Sequence, residues 1–128
     1  MSSTWKYIKR KLDDASTVRG DVYAFDTPPK QKPPFTSFFL SDMDPIFTKD
    51  QESSVNLETW TFVISDVSVG DAITNADAIR TLLDHKSGTL QGVTVKQSLM
   101  IGRNIPLVEE EEQRVKIFRV IDTYEFRV

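Results

Sequence analysis

The sequence predicts an α+β domain: a mainly antiparallel sheet of four to five strands with two helices on one face, in the order α-β-β-β-α-β-β. Two segments space their apolar residues by three and four, as an amphipathic helix requires. Several others alternate apolar and polar residues, the period of a half-buried strand. Short polar connections join these segments, which suits an antiparallel arrangement. The 128 residues are 39% hydrophobic and 10% aromatic. That is enough apolar surface for one core, so residues 1–128 are expected to form a single domain.

The first helix is carried by Trp5, Ile8 and Leu12, with Lys6, Lys9, Arg10 and Lys11 mostly outward and Ser2, Ser3 or Thr4 placed to cap it. After Gly20, the run from Val22 to Phe25 has the β-branched and aromatic content of a short strand. An exposed loop is expected at about 26–34, which reads TPPKQKPP from Thr27 to Pro34. Proline has no amide hydrogen and pushes the residue before it toward an extended conformation. The pair Pro33-Pro34 therefore acts as a stop that releases Phe35–Leu40 as a new strand.

A second exposed loop is expected at 41–54, a charged stretch with Pro45 and only Met43, Ile46 and Phe47 as apolar anchors. A clear strand follows, in which Trp60, Phe62 and Ile64 alternate with Thr59, Thr61, Val63 and Ser65. After a turn at Val67–Gly70, the positions Ala72, Ala76, Ile79, Leu82 and Leu83 define a helix from Asp71 to His85, with Gly88 expected as its left-handed cap. One strand is expected over Leu90–Ile101, with Val93, Val95, Leu99 and Ile101 on one face. A third exposed loop is expected at 102–113, where four consecutive glutamates repel one another and cannot enter a core unpaired. The closing strand, Arg114–Val128, puts Phe118, Val120, Tyr124, Phe126 and Val128 on one face and reaches the last residue. Asp122 interrupts that face, which calls for a hydrogen-bonded polar contact or a bulge.

Composition narrows the function classes. The absence of cysteine removes disulfide scaffolds, thiolate metal sites and cysteine nucleophiles. No apolar leader opens the sequence and no run of eighteen apolar residues occurs, so a soluble protein made without a secretion signal is expected, with no membrane association. The net charge of −3 is unevenly spread. Residues 1–35 carry seven bases and four acids, residues 36–112 five and thirteen, and residues 113–128 four and two. Segment nets of +3, −8 and +2 are not the clustered basic excess of a DNA-binding face. They suit complementary contact between copies as well as they suit a solvated surface.

The search for chemistry returns little. His85, the single histidine, stands at a helix C-terminus, where a cation is favoured electrostatically, and no Gly-x-Ser-x-Gly pattern accompanies it. Asp42 with Asp44, and Glu109–Glu112, are the carboxylate groupings that could hold a hard cation, but neither has the ligand spacing and turn glycine of a calcium loop. The glycines form no phosphate cradle. Arg119 and Arg127 lie among aromatics, yet the acidic middle of the chain opposes a single-strand stacking surface. No catalytic residue, metal ligand or cofactor site is therefore assigned.

Taken along its whole length, the chain resembles the tail-completion, or tail-terminator, family of long-tailed bacteriophages. The resemblance rests on the first amphipathic helix, a Val22-Tyr23 strand, a proline-bearing loop ending in Pro34-Phe35, and a Trp/Phe-rich strand over Trp60–Ile64. It continues through a helix with Ala76, Ile79, Arg80 and Leu83, a Gly-bounded turn, and two final strands with an aromatic close. It implies a non-catalytic virion protein: a hexameric ring at the tail and neck, assembled in the host cytoplasm. Its implied partners are its own copies, the tail tube protein and the head connector or stopper proteins, with DNA passing through the lumen without specific binding. Stiff prolines would hold a loop ready to dock, with Lys30, Lys32 and Pro33 meeting an acidic partner. Asp42, Asp44, Arg103 and Glu109, Glu110, Glu111 and Glu112 are the other candidate assembly contacts. The alternatives are a head-completion or stopper protein of the neck and, from another class, a small carboxylate-using enzyme or ligand-binding module.

Overall fold

The computed structural model describes residues 3–27, 31–48, 51–106, 110–112 and 115–128, and for 43–48, 51–55, 110–112 and 115–116 it describes the backbone. The elements in chain order are α1 (Thr4–Asp13), β1 (Asp21–Ala24), β2 (Phe35–Thr48), β3 (Gln51–Asp66), α2 (Val69–Leu83), β4 (Lys86–Leu90), β5 (Val93–Asn104), β6 (Glu110–Glu112) and β7 (Val115–Arg127). Six strands follow one another across the sheet in the order β1-β2-β3-β7-β5-β4, and β6 pairs separately with β7. Every pairing is antiparallel except that of β1 with β2. The α+β class and the antiparallel character match expectation; the strand count is higher.

Alternation explains how the middle of the sheet forms. Leu40, Trp60, Tyr124 and Met100 stand opposite one another across β2, β3, β7 and β5, and Phe38, Phe62 and Asp122 form the next rung. One face of these rungs is covered by Tyr7, Ile8 and Leu12 of α1 and by Ala72, Ala76, Ile79 and Leu83 of α2, all buried. The rings interlock: Phe38 stacks on Phe62 at 5.4 Å and Phe62 meets Tyr124 edge-on at 5.2 Å. The sheet curls, because α1 packs against β1 at one edge and against β4 and β5 at the other, while α2 lies over β3, β7 and β5. Trp5, at the start of α1, closes the seam through Phe25, 6.3 Å away, which in turn contacts Trp60 at 6.0 Å.

Pro33-Pro34 ends the expected loop at 26–34, and β2 begins at Phe35, as the stop argument requires. The loop exit is seated on Gly20, where φ is +73° and a Cβ would stand 2.0 Å from the Pro34 carbonyl oxygen. Only glycine fits that crossing. Ser3 stands at the N-cap of α1 without a side-chain hydrogen bond, whereas Ser68 Oγ caps α2 by accepting from the Asp71 amide at 3.1 Å.

Several expectations are corrected. The segment 41–54 is not a loop: β2 continues to Thr48 and β3 begins at Gln51, pairing Pro45 with Asn56 and Thr48 with Gln51. Among the described residues, β2 has no partner on its β1 side beyond Phe38, and β3 pairs with β7 from Leu57 onward. At an edge with no neighbouring strand a proline costs no ladder bond. The single strand expected over 90–101 is two strands, β4 and β5, joined by Gln91 and Gly92 with φ of 54° and 74°. Two successive positive-φ residues are the primed turn whose twist matches a hairpin. The left-handed residue after α2 is His85, with φ 54°, and Gly88 lies within β4. The loop expected at 102–113 is shorter, since β5 runs to Asn104 and Glu110–Glu112 pair with Ile117, Lys116 and Val115. Finally, β5 carries two irregularities, near 96–97 and at Ile101, so Met100 rather than Leu99 or Ile101 packs on the core.

Candidate assembly surface

The polar groups held inside the fold set the frame for its surface. Asp122, on the helix-covered face, has no exposed area and takes two bonds from its cross-strand neighbour Arg103, at 2.8 Å from Nε and 3.0 Å from Nη2. The third guanidinium nitrogen, Nη1, donates to Asp77 Oδ1 of α2 at 2.8 Å. Burial raises the Asp122 carboxyl above its ordinary range while Arg103 pulls it down; the same bonds raise Arg103 further above its own. The paired hydrogen bonds offset the cost of burying these groups, and removing one partner strands the other. Burial and the nearby Asp122 raise the Tyr124 hydroxyl too.

One turn away, burial would raise the Asp84 carboxyl, but the Met100 amide at 3.0 Å and Arg80 at 3.1 Å outweigh it and hold it below its ordinary value. Asp84 thus fixes Met100 and Asp122 fixes Arg103, and the irregularity of β5 sits between them. It leaves Ile101 53% exposed. At the other end of α2, Arg19 Nε bonds the buried Asp66 at 2.9 Å and its backbone amide bonds Asn75 Oδ1 at 2.8 Å. These contacts moor the segment between α1 and β1.

The registers divide the expected assembly contacts between two ends of the sheet. Phe35 pairs with Ser65 and Ser65 with Arg119, so the exit of the proline loop lies at the end where β6 pairs with the start of β7. Lys32 is exposed there and Pro33 half-buried, and the Tyr23 hydroxyl donates to Gln31 at 2.8 Å. Lys30 and Glu109 lie outside the described residues, and Glu110, Glu111 and Glu112 are on β6. Asp42 and Asp44 belong to the opposite end, opposite Thr59 and Leu57. There the Ser41 hydroxyl donates to the Thr59 carbonyl at 2.9 Å across a register shift. Arg103 joins neither group, being tied to Asp122 and Asp77.

Sequence reasoning missed a groove on α1. About 370 Å³ in volume, it is lined by Trp5, Lys6, Lys9, Arg10, Asp13 and Gln91. Lys6 Nζ lies 5.9 Å from the Trp5 ring, Lys9 pairs with Asp13, and Arg10 with Asp14. The signal was present in Trp5 and its neighbour Lys6, with Arg10 one helical turn further on. A second groove of about 650 Å³ lies between α1 and β1, with Leu12, Val18 and Val22 as its floor and Asp13, Asp21 and Asp26 on its rim. Neither groove brings a nucleophile, a base and an orienting group together. Among the described residues, no three His, Asp or Glu side chains are placed to hold a metal ion. His85 is exposed, 3.7 Å from Asp84. No helix among the described residues is long and apolar enough to cross a membrane.

No model of a known protein family matches the chain, and no curated protein matches it in sequence. Solved structures match its fold. One is a chain of the virion of a native gene transfer agent particle, at a TM-score of 0.65 and 13% sequence identity, covering 94% of this chain and 90% of that one. The likeness is one of fold, and it spans nearly the whole of both chains.

Proposed function

We propose that this chain is a structural, non-catalytic protein of a phage-like virion, and within it the tail-completion subunit. Six copies form a ring at the head-proximal end of the tail, between the last tube ring and the head connector, and DNA passes through without specific binding. The observation that carries the reading is the end-to-end fold likeness to a gene transfer agent virion chain. The likeness takes in 94% of this chain and 90% of that one, so the reading applies to the domain as a whole and not to one part of it. The loose sequence patterns of the tail-completion family narrow the role further, and the polar clusters support it as well. Arg103 with Asp122, and Arg19 with Asp66, are consumed in stiffening the sheet and its connections, which suits a ring component.

The test is electron microscopy of particles produced without this chain. Tails of irregular length, or tails and filled heads that fail to join, are the expected result. Particles with joined tails of uniform length would overturn the reading.

A further inference from the structure

β1 stands first in the sheet and, among the described residues, pairs with β2 alone. Main-chain groups of a strand address its two sides in turn. The Phe25 amide bonds the Phe38 carbonyl at 2.7 Å, which fixes the phase: Asp21, Tyr23 and Phe25 address β2, and Val22 and Ala24 address the open side. On that side the Ala24 carbonyl is taken by the Asp26 amide at 3.0 Å. The Val22 amide, the Val22 carbonyl and the Ala24 amide have no protein partner among the described residues. Val22 is only 5% exposed, and main-chain groups so enclosed call for hydrogen-bond partners.

Val22 and Ala24 also line the groove of about 650 Å³ between α1 and β1. Leu12 and Val22 are buried beneath it and Val18 is half-buried, so its floor is apolar. Its rim is acidic. Asp13, Asp21 and Asp26 are exposed there, and Lys9, the one cation in the lining, is held by Asp13 at 2.6 Å. Asp21 accepts from the Tyr23 hydroxyl at 3.3 Å, and no cation among the described residues pairs with Asp21 or Asp26. The four residues of β1 offer an edge about 13 Å long at ~3.3 Å per residue. An unpaired edge, an apolar floor and an acidic rim together fit an extended segment in which apolar side chains alternate with cations. The strand at the far edge of the sheet, β4, does not meet that description, because from Lys86 to Leu90 it offers Lys86 as its one cation.

We propose that the open edge of β1 takes an extended, basic and apolar segment of a separate protein chain as an added strand. The apolar side chains of that segment rest on Leu12, Val18 and Val22, its cations stand beside Asp21 and Asp26, and its main chain bonds the Val22 and Ala24 groups. The contact goes beyond the ring reading above, since it joins the chain to a partner other than its own copies and stands on the groove whatever closes the ring.

The probe is a fluorescent peptide, Lys-Val-Lys-Val-Lys-Val, blocked at both ends and titrated with the purified full-length chain at about 0.05 M salt, where screening is weak. Polarisation reads the binding, which is expected for wild type. Two changes to the peptide should each weaken it about tenfold or more: Glu in place of Lys removes the charge match, and N-methylation of its amides removes the main-chain donors while keeping the charge. Asp21→Lys with Asp26→Lys in the protein should weaken it as much. So should Ala24→Pro, which deletes an amide that faces the open side and no bond to β2. Circular dichroism checks that both variants fold. A basic peptide that does not bind, an N-methylated or acidic peptide that binds as well, or a folded variant that binds like wild type would each overturn the added strand. So would self-association of wild type in sedimentation velocity that the Asp21→Lys, Asp26→Lys change abolishes, because the occupant of the groove would then be a second copy. The particle experiment above is independent: unjoined tails with a failed titration reject this contact alone, and intact particles reject the virion role whatever the peptide does.

Discussion

The two halves of β3 differ more from each other than β3 does from its neighbours. From Leu57 to Asp66 the strand lies between β2 and β7, and Trp60, Phe62 and Ile64 are wholly buried under the helices. From Gln51 to Asn56 the same strand has β2 on one side only, save the bonds of Asn56 to Val128. Backbone pairing is common to both halves; a strand on either side belongs to one. Apolar alternation therefore reports a covered face, and strand conformation can continue past the point where that signal stops.

The largest test of this contrast lies in the covered half. Phe62→Ala removes a ring stacked between Phe38 and Tyr124, and about 3–5 kcal/mol of stability should be lost in denaturant unfolding. Next, Asp122→Ala leaves Arg103 without its buried partner and should cost about 3 kcal/mol, whereas the double change Arg103→Met, Asp122→Leu should recover most of that loss. A double variant no better than the single one would mean that the charges act in separate places. In the half that β7 does not flank, replacing residues 46–55 by an Asn-Gly turn that joins Pro45 to Asn56 should change stability by only about 0.5 kcal/mol. Unfolding of that shortened chain would show that this half belongs to the core after all.

The smallest effect concerns pH. The folded-state pKa of Asp84 lies below its unfolded value, so the folded state binds fewer protons, and its contribution is complete above the unfolded pKa near 3.8. That contribution is lost as pH falls through the lower, folded value. Asp84→Asn keeps an acceptor for the Met100 amide and removes the charge, so it should flatten this part of an acid unfolding profile. An unchanged profile would place the acid sensitivity elsewhere.

The same contrast explains what the sequence could convey. Both helices and the alternating runs at Trp60–Ile64 and Phe118–Val128 were legible because each has one face against the core. The β4–β5 hairpin was lost in one long strand because Gln91-Gly92 is a weaker turn signal than Asn-Gly. The irregularities of β5 were hidden because they depend on Asp84 and Asp122, distant in sequence. The candidate contacts divide in the same way. Arg103 is a candidate assembly contact in the sequence, and its bonds to Asp122 and Asp77 appear only once the register sets them opposite. Trp5 shares the apolar stripe of α1 with Ile8 and Leu12, yet its half-buried ring lines a groove with Lys6 and Arg10. Charge in a sequence says that a partner is needed, and only the register says which one.

The position of β7 carries a consequence for synthesis. The last of the seven strands to leave the ribosome is the one placed between β3 and β5, so each of those strands waits with an unsatisfied inner edge until it arrives. The wait spans the whole of α2, β4, β5 and β6. Assembly of this sheet is therefore a late, long-range event, and a nascent chain arrested before Val115 would offer two sticky edges to its neighbours on a polysome.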